Sequence, residues 1–448
     1  MRQQPREASS PREGTPAPAS AAIARWLRGE ARAKDVRIAR FERLAGGAIQ
    51  DNWALDVDIA GGPWQGTHAW VLRTDAPTRV ATSLTRAQEF GVLRVAHAAG
   101  VLAPRPLFFC RDGGVIGREF FVMERLPGIA QAHRLTREPD LVPDPDALVR
   151  FLGANLARIH AIRPPRPDLD AIPPPPAHPA LDSIAAQRTY LDRMGDTYPA
   201  LEFGLRWCER HAPSTFDVTL THRDYRTGNY LVDNGRVTGV LDWEFAGWGD
   251  PRQDLGWFTA RCWRSAGVDR EGGGITSVEP FLDGYHAVSG RPISRRDLDY
   301  WQVMAHLRWA VIALQQARRH RAGGERSLEL ALTGHIVCEL EYEVLRLIGR
   351  VEGSDPDGDG AAASAANPSP APASGAGAED TPPPGDIADA ADLLATAREA
   401  LLSGLLPELP QERRYLARMT ANAMAIAARE QRLGAAAAAG EAARLRGA

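Results

Sequence analysis

Between Phe41 and Ala60, "FERLAGGAIQDNWALDVDIA" alternates apolar and polar positions around a glycine pair, and "HAWVLRTD" continues as a partner strand. Period 2 then gives way to a helical period in "SLTRAQEFGVLRVAHAAG", where Leu84, Ala87, Phe90 and Leu93 fall in register and Gly100 ends the run. "REFFVMERLPG" reads as another buried strand running into a turn. Beyond it the pattern is mainly helical, with Val149, Leu152, Leu156 and Ile159 on one face of "VRFLGANLARIHAI". The expected fold class is therefore α+β and bilobal. A small antiparallel sheet with one helix is joined by a short strand to a larger helical lobe, with a cleft between them.

After about Val351 the chain turns to Gly, Ala, Ser, Pro and Asp, with almost no bulky apolar residue to offset ordering entropy. Asp355, Asp357 and Asp359 there mimic the start of a calcium loop, but position twelve is Ala366 rather than a bidentate glutamate. Helical periodicity returns with Leu393, Leu394, Ala397, Leu401 and Leu405, then with Tyr415, Leu416, Met419, Ala423 and Ile426. Pro407 and Pro410 divide the two runs into a helical hairpin. A hairpin this small is expected to pack on the main domain or on another copy. The expected division is a disordered leader at 1–21, a first lobe at 22–126, a second at 127–351, a linker at 352–386 and a helical domain at 387–448.

Composition narrows the classes. The formal net charge of the 448 residues is -3, which gives no footprint for nucleic acid. No apolar run reaches the roughly 18 residues of a membrane span, and the N-terminal stretch has proline and charge where a signal peptide needs an apolar core. Cys110, Cys208, Cys262 and Cys338 are scattered, suggesting neither a zinc site nor a disulfide framework. A cytoplasmic location with ordinary thiols is expected. Lys34 is the only lysine, so a Walker A loop is excluded. Within the folded body, positive charge on a phosphate must come from arginine, histidine, a backbone nest or a metal.

The candidate chemistry lies in "THRDYRTGNYLVDNGRVTGVLDWEF". Asp224 precedes Asn229 by the spacing of a kinase catalytic loop, in which the aspartate is the base and the asparagine holds magnesium. Asn234-Gly235 is a two-residue hairpin turn between "YLV" and "VTGVL". Such a hairpin folds Asn229 back beside Asp242, so two hard oxygen donors meet at one end, as magnesium requires. Asp233 and Asn234 are turn chemistry.

This stretch, continuing through Asp250 and Asp254, resembles the aminoglycoside phosphotransferase and choline kinase-like family. It is most similar to the bacterial branch resembling the kinase-like domain joined to some acyl-CoA dehydrogenases. The family's usual His-Gly-Asp is His222-Arg223-Asp224 here. The resemblance spans roughly residues 38–349 and implies a role for each matching position. Asp224 would deprotonate the substrate hydroxyl, and Asn229 and Asp242 would bind magnesium on the ATP phosphates. Gly46, Gly47 and Ala48 would cover the nucleotide, although a Gly-Gly pair alone is usually only a turn. Arg73 falls where kinases carry the strand lysine, with Glu89 as its partner; a guanidinium can fork onto a carboxylate and still offer donors to phosphate. Glu124 to Leu126 would form the hinge that binds adenine through its backbone. Asp254 would steady the catalytic loop, and Asp250 would support it or cap a helix. His160 and His222 are expected to pack and hydrogen-bond rather than to ligate. The C-terminal helices also resemble a small helical domain fused to such phosphotransferases.

The implied activity is transfer of the ATP γ-phosphate, with Mg2+, to a hydroxyl of a small molecule. The alternative is a catalytically weak nucleotide-binding or scaffolding protein with the terminal helices as its interaction or self-association module. "SVEPFLDGYHAVSGRPISRRDLDYW" mixes acidic and basic residues, which does not indicate a polycationic substrate. A hydroxyacyl thioester or similar metabolite fits the resemblance better.

Overall fold

The computed structural model describes residues 17–44, 50–75, 83–194, 196–321, 328–353 and 390–447. Gly46, Gly47, Ala48 and the calcium-loop mimic lie outside them. The described residues divide into two units, one of residues up to 307 together with 343–351, the other of 308–342 and the chain from 352 onward.

The first unit starts with α1 (Ala17–Glu30), whose first five residues belong to the stretch 1–21 expected to be a disordered leader. Ile23 and Leu27 of this helix are fully buried, and that apolar burial orders the segment. The strands β1 (Asp35–Arg43), β2 (Gln50–Ala60) and β3 (Gly66–Asp75) follow, then α2 (Arg86–Ala98), β4 (Pro106–Cys110) and β5 (Phe120–Glu124). They form one antiparallel sheet in the order β1-β2-β3-β5-β4. Alternation sorts its faces. Trp70, Leu72, Phe120 and Val122 pack with Ile23 and Leu27 on one side. Val71, Phe121 and Met123 share the other side with Val92 and Leu93 of α2. Arg73, two residues after Val71, therefore faces α2. Thr85 and Gln88 close a reciprocal capping box at the start of α2.

The chain then becomes mainly helical: α3 (Ala132–Leu135), α4 (Pro145–His160), α5 (Pro179–Asp192) and α6 (Pro199–Arg210). Short strands β6 (Thr219–Thr221), β7 (Tyr230–Asp233), β8 (Arg236–Val240) and β9 (Gly247–Gly249) interrupt it, before α7 (Arg252–Thr259) and α8 (Glu279–Ser289). β6 pairs with β9 and β7 with β8, all antiparallel. α4 and α8 cross almost backbone on backbone: a Cβ at Gly153 would lie 2.0 Å from the Phe281 carbonyl oxygen, and one at Gly284 1.9 Å from that of Arg150. The expected α+β bilobal plan is the one observed.

A long helix, α9 (Arg295–Arg321), belongs to the first unit only through residue 307. The second unit holds its remainder with α10 (Leu328–His335), parts of α11 (Val337–Gly353), α12 (Ala390–Glu399) and α13 (Gln411–Gly447). Residues 308–342 thus group with the terminal helices. α12 passes through a π-helical turn (Ala400–Leu405) before Pro407 and Pro410 break the hairpin. Its apolar pattern misleads in part. Leu393, Leu405, Tyr415 and Leu416 are exposed, while Ala391, Ala417, Ala421 and Ala428 are buried. The small alanines permit close helix approach and leave the leucines outside. No described helix is long and apolar enough to cross a membrane.

Candidate active site

β6 delivers the chain into the loop from His222 to Asn229, and Asp254 at the start of α7 holds that loop. Its fully buried carboxylate accepts from the backbone N–H of His222 (2.6 Å) and of Arg223 (2.8 Å), and from His160 Nε2 (3.1 Å). Burial alone would raise the Asp254 pKa, but the His160 hydrogen bond and the neighbouring histidines outweigh it and hold the carboxyl below its ordinary value. Arg223, in place of the family's glycine, sits at φ +64°. Its guanidinium donates to the Trp248 carbonyl at 2.6 Å. His222 is fully buried and its pKa is pushed down by that burial, so the imidazole is neutral at pH 7. Its Nε2–H donates to the Leu241 carbonyl (2.9 Å).

Asp224 follows, held by three donors. Trp257 Nε1 and Arg226 Nε reach Oδ1 at 2.9 and 3.1 Å, and Asn229 Nδ2 reaches Oδ2 at 2.5 Å. The β7–β8 hairpin forms around Asn234 and Gly235, both left-handed, as a type I′ turn requires. Tyr230 pairs with Val240, and the Leu241 N–H donates to the Asn229 carbonyl at 2.7 Å. The hairpin therefore brings Asn229 beside Asp242. Asp242 is itself left-handed (φ 60°, ψ 63°), a strained state for a residue with a side chain.

Across the cleft, Arg73 on β3 is buried and meets Glu89 of α2 (Nε to Oε1, 3.0 Å), Asn52 of β2 (3.2 Å) and Asp242 (3.3 Å). Burial works against its charge, but Glu89, Asp242 and Glu244 more than offset it and the guanidinium pKa is raised. Its Nη2 is buried and has no hydrogen-bond partner among the described residues. Sequence reasoning missed two neighbours. Arg86, fully buried one turn before Glu89, binds the same carboxylate and also Asp75 (2.9 Å). Its i,i+3 spacing from Glu89 was the available signal. Glu244, two residues beyond Asp242, accepts from Gln50 Nε2 (2.8 Å). Burial lifts its pKa to about 7, against the pull of Arg73 and Gln50.

The remaining candidates are less involved. In the hinge, the Glu124 and Arg125 N–H groups already donate to Arg105 and Ala69 carbonyls. The Leu126 side chain lies against Gly239 of β8. Asp250 accepts from the Arg252 backbone N–H (2.9 Å) and side chain, so it serves the start of α7. His160 bridges Asp254 and the Tyr285 hydroxyl. The loop with Gly46, Gly47 and Ala48 is outside the described residues.

Asn229 Oδ1 and the Asp242 carboxylate are hard oxygen donors at one end of the hairpin. Among the described residues no group of three or more His, Cys, Asp or Glu forms a metal cage. A site with two protein oxygens fits an ion that takes its other ligands from phosphate and water, as magnesium does.

Residues 40–292 match the model of the phosphotransferase enzyme family, which is more than half of the chain. The chain belongs to this family. Residues 407–448 match a second model, described as a domain of unknown function (DUF6285). Among curated relatives, mouse acyl-CoA dehydrogenase family member 10 is 31% identical over 183 residues, 38% of this chain and 16% of that protein. Acyl-CoA dehydrogenase family member 11 of Pongo abelii is 25% identical over 302 residues, 64% of this chain and 38% of that one. The chain thus spans well under half the length of either relative. A crystal structure from Ralstonia eutropha JMP134, provisionally described as an aminoglycoside phosphotransferase, superposes with a TM-score of 0.59 at 20% identity. It covers 74% of this chain and 98% of its own. That likeness establishes the kinase-like fold of this phosphotransferase family member.

Proposed function

We propose that the protein transfers the γ-phosphate of ATP, with magnesium, to a hydroxyl of a small molecule. The observation that carries this reading is the convergence of Asp224, Asn229, Asp242 and Arg73 from two lobes. Asp224 accepts the proton of the attacking hydroxyl, its carboxylate oriented by Trp257, Arg226 and Asn229. Magnesium held by Asn229 and Asp242 would neutralise charge on the phosphates. Arg73, fixed by Glu89, supplies a preorganised cation with the unpartnered Nη2 beside that charge. The hydroxyl oxygen bonds to phosphorus, the bond from phosphorus to the ADP oxygen breaks, and the cleft's contribution is mainly alignment. Resemblance to the acyl-CoA dehydrogenase-linked proteins favours a hydroxyacyl metabolite over an aminoglycoside. The test is ADP release from Mg-ATP against a panel of hydroxylated small molecules, with Asp224→Asn beside the wild type. Release that depends on the acceptor and disappears in the variant supports the reading; release unchanged in the variant contradicts it.

A further inference from the structure

A cavity of about 210 Å³ has a lining that includes Arg261, Arg264, Arg346 and Arg350. Asp269 and Glu271 are the only carboxylates on that lining, so four guanidiniums face two negative charges. Outside the lining, Glu343 pairs with Arg261 (3.2 Å) and Arg346 (2.7 Å), while Asp299 pairs with Arg350 and with Arg295 (2.7 Å). Even counting these, five arginines stand against four carboxylates. Burial is the main cause of the lowered Arg264 pKa; Glu271 opposes it, and Arg261, Arg295 and Arg346 add to it.

A second observation points to an occupant. His306 also lines the cavity and is fully buried. Its Nδ1–H donates to the Gln302 carbonyl (2.7 Å), which leaves Nε2 as an acceptor. That Nε2 is buried and has no hydrogen-bond partner among the described residues. Buried polar atoms are normally paired, so the cavity is built for an anionic group, with the donor for Nε2 carried by that group or by a water bound with it.

A chain of contacts leads from the cavity to the reacting centre. Trp257, whose Nε1 binds Asp224, packs on Trp263 at 5.0 Å between ring centroids, and the Arg226 guanidinium lies 4.6 Å from the Trp263 ring. Trp263 is in the same short turn as Arg261, and Arg264 donates to the Thr259 carbonyl at the end of α7. The turn Arg261–Trp263 therefore links the two places. The volume is below the roughly 300–1,000 Å³ of a site that engulfs a whole ligand, so it suits one end of a molecule.

Building on the phosphotransferase reading, we infer that the substrate is an anionic hydroxyl compound whose carboxylate or phosphate end is held in this arginine cavity while its hydroxyl lies at Asp224. A polycation would instead call for carboxylates, not guanidiniums, on such a lining.

The experiment uses the full chain, with sodium phosphate and sodium acetate titrated against melting temperature, and sodium chloride at matched ionic strength as control. Arg346→Gln and Arg350→Gln are the variants, because Arg261 and Arg295 remain to pair Glu343 and Asp299. A saturable rise with phosphate or acetate, weakened about tenfold or more in either variant, is expected. The anion that saturates at lower concentration tells whether the substrate's end is a phosphate or a carboxylate. No saturable rise, or the same rise in both variants as in the wild type, overturns the inference. Mg-ATP stabilisation, compared with Asp242→Ala, is read separately. Its absence with anion binding intact would sink the phosphotransferase reading and with it the substrate role of the cavity, leaving an anion site only, whereas its presence without anion binding would sink the cavity alone.

Discussion

Asn229 donates its side-chain amide to Asp224 Oδ2 at 2.5 Å, while its backbone carbonyl accepts from Leu241, the residue before Asp242. The candidate base is thereby tied to one candidate metal ligand through its side chain and to the strand leading to the other through the backbone. The spacing of Asp224 and Asn229 and the hairpin between Asn229 and Asp242 are two devices for one geometry.

Asp224→Asn keeps the side-chain volume but removes the proton acceptor. Turnover is expected to fall at least about 10²-fold, the lower range for losing general-base help, with melting temperature little changed. Steady-state ADP release against any accepted substrate checks this, and near-wild-type turnover would remove Asp224 from the base role.

Glu89 neutralises two buried guanidiniums, those of Arg73 and Arg86. Glu89→Ala leaves both in a site nearly closed to water and should destabilise the protein by about 3–5 kcal/mol. Urea unfolding followed by fluorescence measures it. A loss below about 1 kcal/mol would mean the cluster relaxes to solvent and does not hold α2 against the sheet.

Arg223 occupies a left-handed conformation where the family has glycine. Both Arg223→Ala and Arg223→Gly lose the bond to the Trp248 carbonyl, but only glycine is free of the Cβ penalty. The glycine variant should therefore be the more stable of the two by about 1 kcal/mol. Equal melting points for the pair would show that the strain is absorbed elsewhere.

Much of this was legible in the sequence, because the informative signals were local. The Asn234-Gly235 turn fixes the hairpin register, and register fixes the meeting of Asn229 with Asp242. Alternation on β3 put Arg73 on the face of α2, where Glu89 waits. Arg86 and Glu244 were not read, since their importance comes from burial against Glu89 and Gln50, elements distant in sequence or hidden by ordinary helical spacing. The start of α1 was missed because its composition is that of a leader, and only the pocket around Ile23 and Leu27 makes it fold. The terminal leucines misled for the opposite reason: helical periodicity marks a stripe but does not say whether leucine or alanine side is covered.

His306 gives the pH dependence. Burial is the main cause of its depressed pKa of about 4, with Arg264 and Arg346 adding to it and the Gln302 carbonyl and Glu343 opposing. Between this value and the ordinary 6.5 the unfolded chain binds a proton that the folded one refuses, so stability falls as pH falls through that window. Wild type should lose roughly 2–3 kcal/mol more than His306→Gln between pH 7 and 4.5. Denaturant unfolding at the two pH values is the comparison, and parallel losses in both proteins would contradict the assignment.

The most direct test of the central claim is thermal melting with ATP, with magnesium, and with both, for the wild type and Asp242→Ala. A ligand at 100 times its dissociation constant stabilises by about 2.7 kcal/mol, a readily measured rise in melting temperature. A rise with ATP and magnesium together, lost in Asp242→Ala, is the result predicted here. A rise that Asp242→Ala retains, or no rise with any combination, would contradict a nucleotide site built on Asn229 and Asp242.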